Sequence, residues 1–178
     1  GKNIVNIIPI GAISKDCKGK DLAEIYDMNS EGVTMFSDGH HTIENAGMLE
    51  RALLYVKKFN GTIMNHPDVK NISNDGLMNE GILSTKLGLQ AAPKLAEDLM
   101  VARDIYLAEH SNSRLHFINV STANAVKQIK EAKKKGIKAI LGCEFYMVED
   151  MHLTSFAGTG RRDKRYHQLL LAKNEIGY

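Results

Sequence analysis

The chain has 178 residues, enough for one domain with a real core. Its 43% hydrophobic and 25% charged content is that of an ordinary globular protein and excludes a disordered or fibrous class. A net charge of +2 gives no pull toward nucleic acid or a membrane surface, and neither is expected as a partner. Asn3–Ile10 is β-branched and apolar and reads as a buried strand. A short helix follows over Asp21–Asn29, with Asp21 at its start, and then a strand over Val33–Phe36. Glu44–Phe59 is a helix with Ala46, Leu49, Leu53 and Val56 on one face. Gly61–Asn65 is a strand, and Asn79–Leu87 a short helix ended by Gly88. Pro93 opens a helix over Lys94–His110, for which Leu95, Leu99, Ala102, Ile105 and Ala108 supply the apolar stripe. Arg114–Ile118 is a strand. Thr122–Lys135 is a helix opened by Ser121 or Thr122 and ended by Gly136. Ile137–Leu141 is a strand that runs on toward Met147, the stretch AGTGRRDKR is a loop, and Tyr166–Ala172 is a last strand.

Strands alternating with helices predict a single α/β domain over residues 1–178, built of parallel βαβ units. Two architectures satisfy that rhythm: part of a (β/α)8 barrel, which in full takes about 250 residues, or an open flavodoxin-like sheet. Periodicity does not separate them. Cys17 and Cys143 share no CxxC spacing, which fits reduced thiols in a cytoplasmic protein. No apolar run approaches the ~20 residues of a membrane span. The chain opens on Gly1 and enters an apolar segment almost at once, the pattern of a piece of a longer protein.

Three strands end in polar clusters, and strand C-termini are where α/β proteins place chemistry. Thr62-Ile63-Met64 runs into Asn65-His66-Pro67-Asp68, so His66 is a candidate zinc ligand or base. Val33–Phe36 runs into Ser37-Asp38-Gly39-His40-His41. There Asp38 and His40 suit a metal or a proton shuttle, while Asp38-Gly39 equally suits a plain turn. Leu115–Ile118 runs into Asn119-Val120-Ser121-Thr122, whose hydroxyls cap a helix and whose free N–H groups suit an anion. Glu144 after one strand and His167 within another are further ligand candidates. Asn79, Asn119, Ser121 and Thr122 form a candidate substrate-side or structural loop set.

Read in order, several stretches resemble the dihydroorotase family of cyclic amidohydrolases. They are Pro9–Ile13, Gly32–Asp38, Asn45–Met48, Met78–Gly81, Ala102–Ile105 and Val120–Thr122, and the likeness runs from about residue 4 to 135. The resemblance implies a (β/α)8 barrel with zinc at its strand ends, where the metal polarises the amide carbonyl of a pyrimidine precursor and activates water. It places a metal-ligand histidine at His66. The family's paired aspartates fall on Asp38 and Gly39, and its histidine before Val-Ser-Thr falls on Asn119. Its Pro-His-His segment falls near Glu144–Met147, where no His-His stands. Residues 136–178 resemble instead the PHP domain of bacterial DNA polymerase III alpha subunits, through Gly136–Tyr146 and Arg165–Asn174. In that resemblance Glu144 and His167 match metal-binding positions.

Four readings stay open: a chimeric or engineered barrel fragment without a complete metal centre; a natural non-catalytic protein partnering aspartate transcarbamoylase; an active zinc amidohydrolase; and a small open-sheet binding protein. Self-association is expected, because a partial barrel leaves two open sheet edges. Zinc is the cofactor the families imply; with Gly39 and Asn119 at ligand positions, an incomplete metal centre and an inactive chain are expected.

Overall fold

One row of apolar side chains organises the fold. In the computed structural model, which describes residues 8–134, 136, 142–147 and 166–171, four short strands form a parallel sheet. They are β1 (Ile10–Gly11), β2 (Met35–Ser37), β3 (Thr62–Asn65) and β6 (Arg114–Phe117). The pairing aligns Gly11, Phe36, Ile63 and Leu115 across the sheet. Residues paired in this way share a face, and Phe36, Ile63 and Leu115 are buried in the main core. Gly11 completes the row without a side chain. A Cβ there would lie 2.9 Å from both the Phe36 ring and the Met28 sulfur.

Helix α2 (Ala46–Lys57) closes over this row with Met48, Leu49, Ala52, Leu53 and Val56, all buried. Each large member contributes about 1.5–3 kcal/mol by leaving water. Its first turn is fixed by Asn45, whose side chain accepts from the Met48 N–H at 3.0 Å. The predicted stripe is shifted here, for Ala46 is exposed at the helix start and Met48 and Ala52 face inward. Helix α5 (Leu95–Ser111) packs on α2, and α6 (Ala123–Lys134) packs on α5.

The sheet order β1-β2-β3-β6 follows the chain without reversal. A flavodoxin-like sheet reverses at a switch point. A sequential parallel order with helices layered on one face is how a (β/α)8 barrel grows. The opposite face carries Met35, Thr62, Ser37, Met64 and His116, in the position of a barrel interior. The connection from β3 to β6 is the long one. Before α5 it holds α3 (Lys70–Ser73), a separate parallel pair β4 (Met78–Asn79) and β5 (Ala91–Ala92), and α4 (Ile82–Leu87). Gly88 ends α4 in the left-handed conformation, φ 64°, as expected.

Several boundaries depart from the expectation. The first helix, α1, spans Ile25–Ser30 rather than starting at Asp21. Residues 21–23 instead pair back onto residues 13–15: Lys15 N–H donates to the Asp21 carbonyl, and Ala23 N–H to the Ile13 carbonyl. The pairs Met78–Asn79 and Ala91–Ala92, and helix α3, were not expected; such two- to four-residue elements carry too little periodicity to read. The stripe of α5 is also different. Ala96, Met100, Val101, Asp104, Ala108 and Ser111 are buried, whereas Leu95 and Leu99 are 53% and 47% exposed. A charged residue occupies the inner face because a buried network receives it.

Residues 140–178 form a second unit. Within it β7 (Gly142–Met147) and β8 (Tyr166–Leu171) pair antiparallel, with Cys143 opposite Leu170 and Tyr146 opposite His167. Both are strands as expected, but antiparallel rather than additions to a parallel sheet. The start of the Asn3–Ile10 strand, the Ile137–Leu141 strand, the AGTGRRDKR loop and the side chains of Glu144 and His167 lie outside the described residues.

Candidate strand-end site

The C-terminal ends of β2, β3 and β6 are neighbours, so the segments after them converge. His40 from the first and His66 from the second stand edge to face, with ring centroids 6.0 Å apart. Asn119 from the third places its side-chain nitrogen 3.2 Å from His40 Nδ1. An amide nitrogen can only donate, so Nδ1 is the accepting atom in this contact. Asn119 sits at φ 57°, a left-handed conformation that asparagine tolerates better than most residues. The structure thus joins three of the residues singled out from sequence: His40, His66 and Asn119.

Asp38 has a different occupation. It is 4% exposed, and one carboxylate oxygen accepts from the backbone N–H groups of Ile13 at 2.8 Å and Ser14 at 3.0 Å. The other accepts from the Ser14 hydroxyl. The carboxylate ties the end of β2 to the segment leaving β1. The following Gly39 takes φ 65°, and the His41 N–H closes a turn on the Asp38 carbonyl. The plain-turn reading of Asp38-Gly39 describes this backbone.

A buried network behind the strand ends holds the His40 loop in place. Asn65 accepts from the Ile43 N–H at 3.1 Å and donates to Asp104 at 2.7 Å. Arg103 donates to Asp104 through Nε at 2.8 Å and through its terminal nitrogens to the carbonyls of Ile43 and Glu44. Thr42 donates its hydroxyl to the His66 carbonyl at 2.8 Å. Sequence reading gave none of these residues a role. The available signal was that Arg103 and Asp104 fall in Ala102–Ile105, one of the stretches that carry the family resemblance.

In front of the strand ends lies a cavity of about 380 Å³ bounded by His66, Lys70, Asn79, Lys94, Glu97 and Asn119. Lys70 is paired with Asp68 at 2.8 Å, and this hydrogen bond raises its pKa. The start of α6 is not free for an outside anion. Glu97 of α5 accepts from the N–H groups of Ser121 at 3.0 Å and Thr122 at 2.8 Å, and from the Ser121 hydroxyl at 2.6 Å. Thr122 caps α6 by accepting from the Ala125 N–H at 3.1 Å, as expected. Asn79, on β4, is exposed at the cavity wall.

Burial lowers the pKa of His66, with the Ile118 backbone and Asp68 acting against it, and burial also lowers that of His116. His66 Nδ1 is buried without a hydrogen-bond partner. For a base whose folded pKa lies below its ordinary 6.5, the unfolded chain binds more protons in between. Stability is therefore full above about pH 6.5 and is lost as pH falls toward the folded values. The urea midpoint should drop between about pH 7.5 and pH 5, and His116→Gln should flatten that drop. An unchanged midpoint would mean both rings are hydrated in the folded chain.

Zinc can be tested against these donors. A catalytic zinc takes three protein ligands. His66 has a free buried nitrogen, but both Asp38 oxygens are taken by Ile13 and Ser14, Gly39 offers no side chain, and Asn119 offers only an amide oxygen, a weak zinc ligand beside imidazole. Among the described residues no three of His, Cys, Asp and Glu gather as a metal group. These residues do not fit a resident zinc.

A sequential parallel α/β sheet with imidazoles at its strand ends defines the class, a barrel-type fold with its polar groups at the C-terminal edge. Residues 2–125 match the dihydro-orotase-like family, and residues 94–178 match the PHP domain, the two overlapping over 94–125. Among curated relatives, a dihydroorotase of Pelotomaculum thermopropionicum is 47% identical over 77% of this chain and 32% of its own length. One from Syntrophus aciditrophicus is 41% identical over 85% of this chain and 36% of its own. The L-hydantoinase (dihydropyrimidinase) of Arthrobacter aurescens superposes with a TM-score of 0.57 at 17% identity, covering 76% of this chain and 31% of that one. A D-hydantoinase of Thermus sp. gives 0.53 at 14%, covering 74% and 30%. The chain belongs to the dihydro-orotase-like family and spans about a third of the length of these relatives. No helix among the described residues is long and apolar enough to cross a membrane.

Proposed function

We propose that this chain is a chimeric, dihydroorotase-like barrel fragment, continued by a PHP-like segment, that lacks a complete metal centre and does not hydrolyse cyclic amides. One observation carries the reading. Of the family ligand positions within the described residues, only His66 keeps a strong zinc donor free, while Asn119 offers a weakly ligating amide oxygen and Asp38 serves backbone N–H groups. Amide-bond hydrolysis in this family class needs a polarising metal and a bound water, and among the described residues no group of donors for one is gathered. The location we propose is cytoplasmic, supported by two cysteines, Cys17 and Cys143, that share no disulfide-type spacing.

The test is release of carbamoyl aspartate from dihydroorotate by purified, zinc-replete protein. No release above the rate without protein is expected. Zinc-dependent turnover that disappears in His66→Gln would establish an active amidohydrolase instead. The partner we propose is a second copy of the chain, supported by the apolar side chains that α4 leaves exposed, Ile82 at 80%, Leu83 at 60% and Leu87 at 57%. Light scattering reads it directly, and co-elution with aspartate transcarbamoylase would point to that natural partner instead.

A further inference from the structure

The strand ends that would share a metal ion are tied by the protein's own side chains. His40 follows β2 and Asn119 follows β6, and these strands flank β3. Their hydrogen bond of 3.2 Å therefore spans the end of β3, where His66 stands against the His40 ring. The His40 Nδ1 lone pair is spent on the amide hydrogen, and Asn119 is left with its amide oxygen, a weak zinc ligand beside imidazole. Gly39 is in the left-handed conformation with open space around its Cα. Asp38 is turned to Ile13 and Ser14. Among the described residues that the dihydroorotase resemblance assigns to a metal, Asp38 is thus engaged within the chain, Gly39 has no donor and Asn119 keeps only its amide oxygen, which leaves His66.

We propose that a His40–Asn119 clasp occupies the place of the metal ion and fastens the ends of β2, β3 and β6 without one. The inference rests on the reading that the metal centre is incomplete, and extends it by naming what holds the strand ends together. The clasp makes a prediction about a single proton. With Asn119 the ring of His40 is Nε2–H. With Asn119→Asp the partner can only accept, so the proton must move to Nδ1.

Long-range nitrogen–proton spectra of the full chain, labelled at histidine and washed with chelator, read this directly. The expected result is the Nε2–H tautomer at His40 in the parent chain, unchanged by added zinc, and the Nδ1–H form in Asn119→Asp. A chelator should leave the melting temperature of the parent unchanged. In a Gly39→Asp, Asn119→His double variant, which restores two donors beside His66, zinc should raise it. If Asn119→Asp fails to fold, the zinc-insensitive tautomer of the parent still decides the matter. Zinc that shifts or broadens the His40 or His66 nitrogens of the parent and raises its melting temperature overturns the clasp. That result without dihydroorotate turnover leaves the non-catalytic reading standing. Turnover with an undisturbed His40 tautomer would overturn the non-catalytic reading and leave the clasp.

Discussion

Asp104→Ala is expected to cost about 3–5 kcal/mol of folding stability, the range for breaking a buried ion pair by removing one partner. Asp104 is 0% exposed. It accepts from Arg103 Nε at 2.8 Å and Nη2 at 2.6 Å, and from the Asn65 side chain at 2.7 Å. Burial lifts its carboxyl above the ordinary carboxylate range, and Arg103 pulls it back. Removing the carboxylate leaves a guanidinium whose side chain is only 24% exposed, and an Asn65 amide with no acceptor. The damage should also spread to the site. Arg103 and Asn65 together hold the Ile43 backbone, three residues from His40. Asp104→Asn keeps one acceptor oxygen and should lose less, about 1–2 kcal/mol. Urea denaturation followed by circular dichroism measures both. A loss below about 1 kcal/mol for the alanine variant would mean the network is hydrated and contributes little.

The second large effect is expected at Asp38. Asp38→Ala should cost about 2–4 kcal/mol, because two backbone N–H groups and the Ser14 hydroxyl lose their acceptor in a buried setting. Ser14 is itself fully buried, so water cannot easily replace the carboxylate. The decisive feature is insensitivity to metal: the loss should be the same with zinc and with chelator. A loss that appears only in the presence of zinc would make Asp38 a ligand, and its contacts to Ile13 and Ser14 incidental.

The two variants show where sequence reading succeeds and where it stops. The strand-end histidine at 66, the cap at Thr122, the helix stop at Gly88 and the α/β rhythm were all legible, because each follows from local chemistry: alternation, hydroxyls before a helix, glycine after one. The stripe of α5 was misread for a physical reason. Leu95 and Leu99 are apolar and belong in a core by composition, yet the inner face goes to Asp104, whose burial is made tolerable by Arg103 beside it and by Asn65 from a strand 39 residues away. Nothing local announces that a partner so distant will arrive.

The same holds for the site. Residue order alone determined that polar side chains gather at the ends of three strands, and that Gly39 and Asn119 stand where the family resemblance implies metal ligands. It left Asp38 open between a ligand and a turn, and periodicity left the barrel fragment and the flavodoxin-like sheet unresolved. Tertiary structure decided both. The unreversed order β1-β2-β3-β6 is a fact about pairing across the chain, and the engagement of Asp38 with Ile13 and Ser14 depends on two strand ends meeting in space. Hydrogen-bond capacity is a property of a residue, but which partner spends it is a property of the fold.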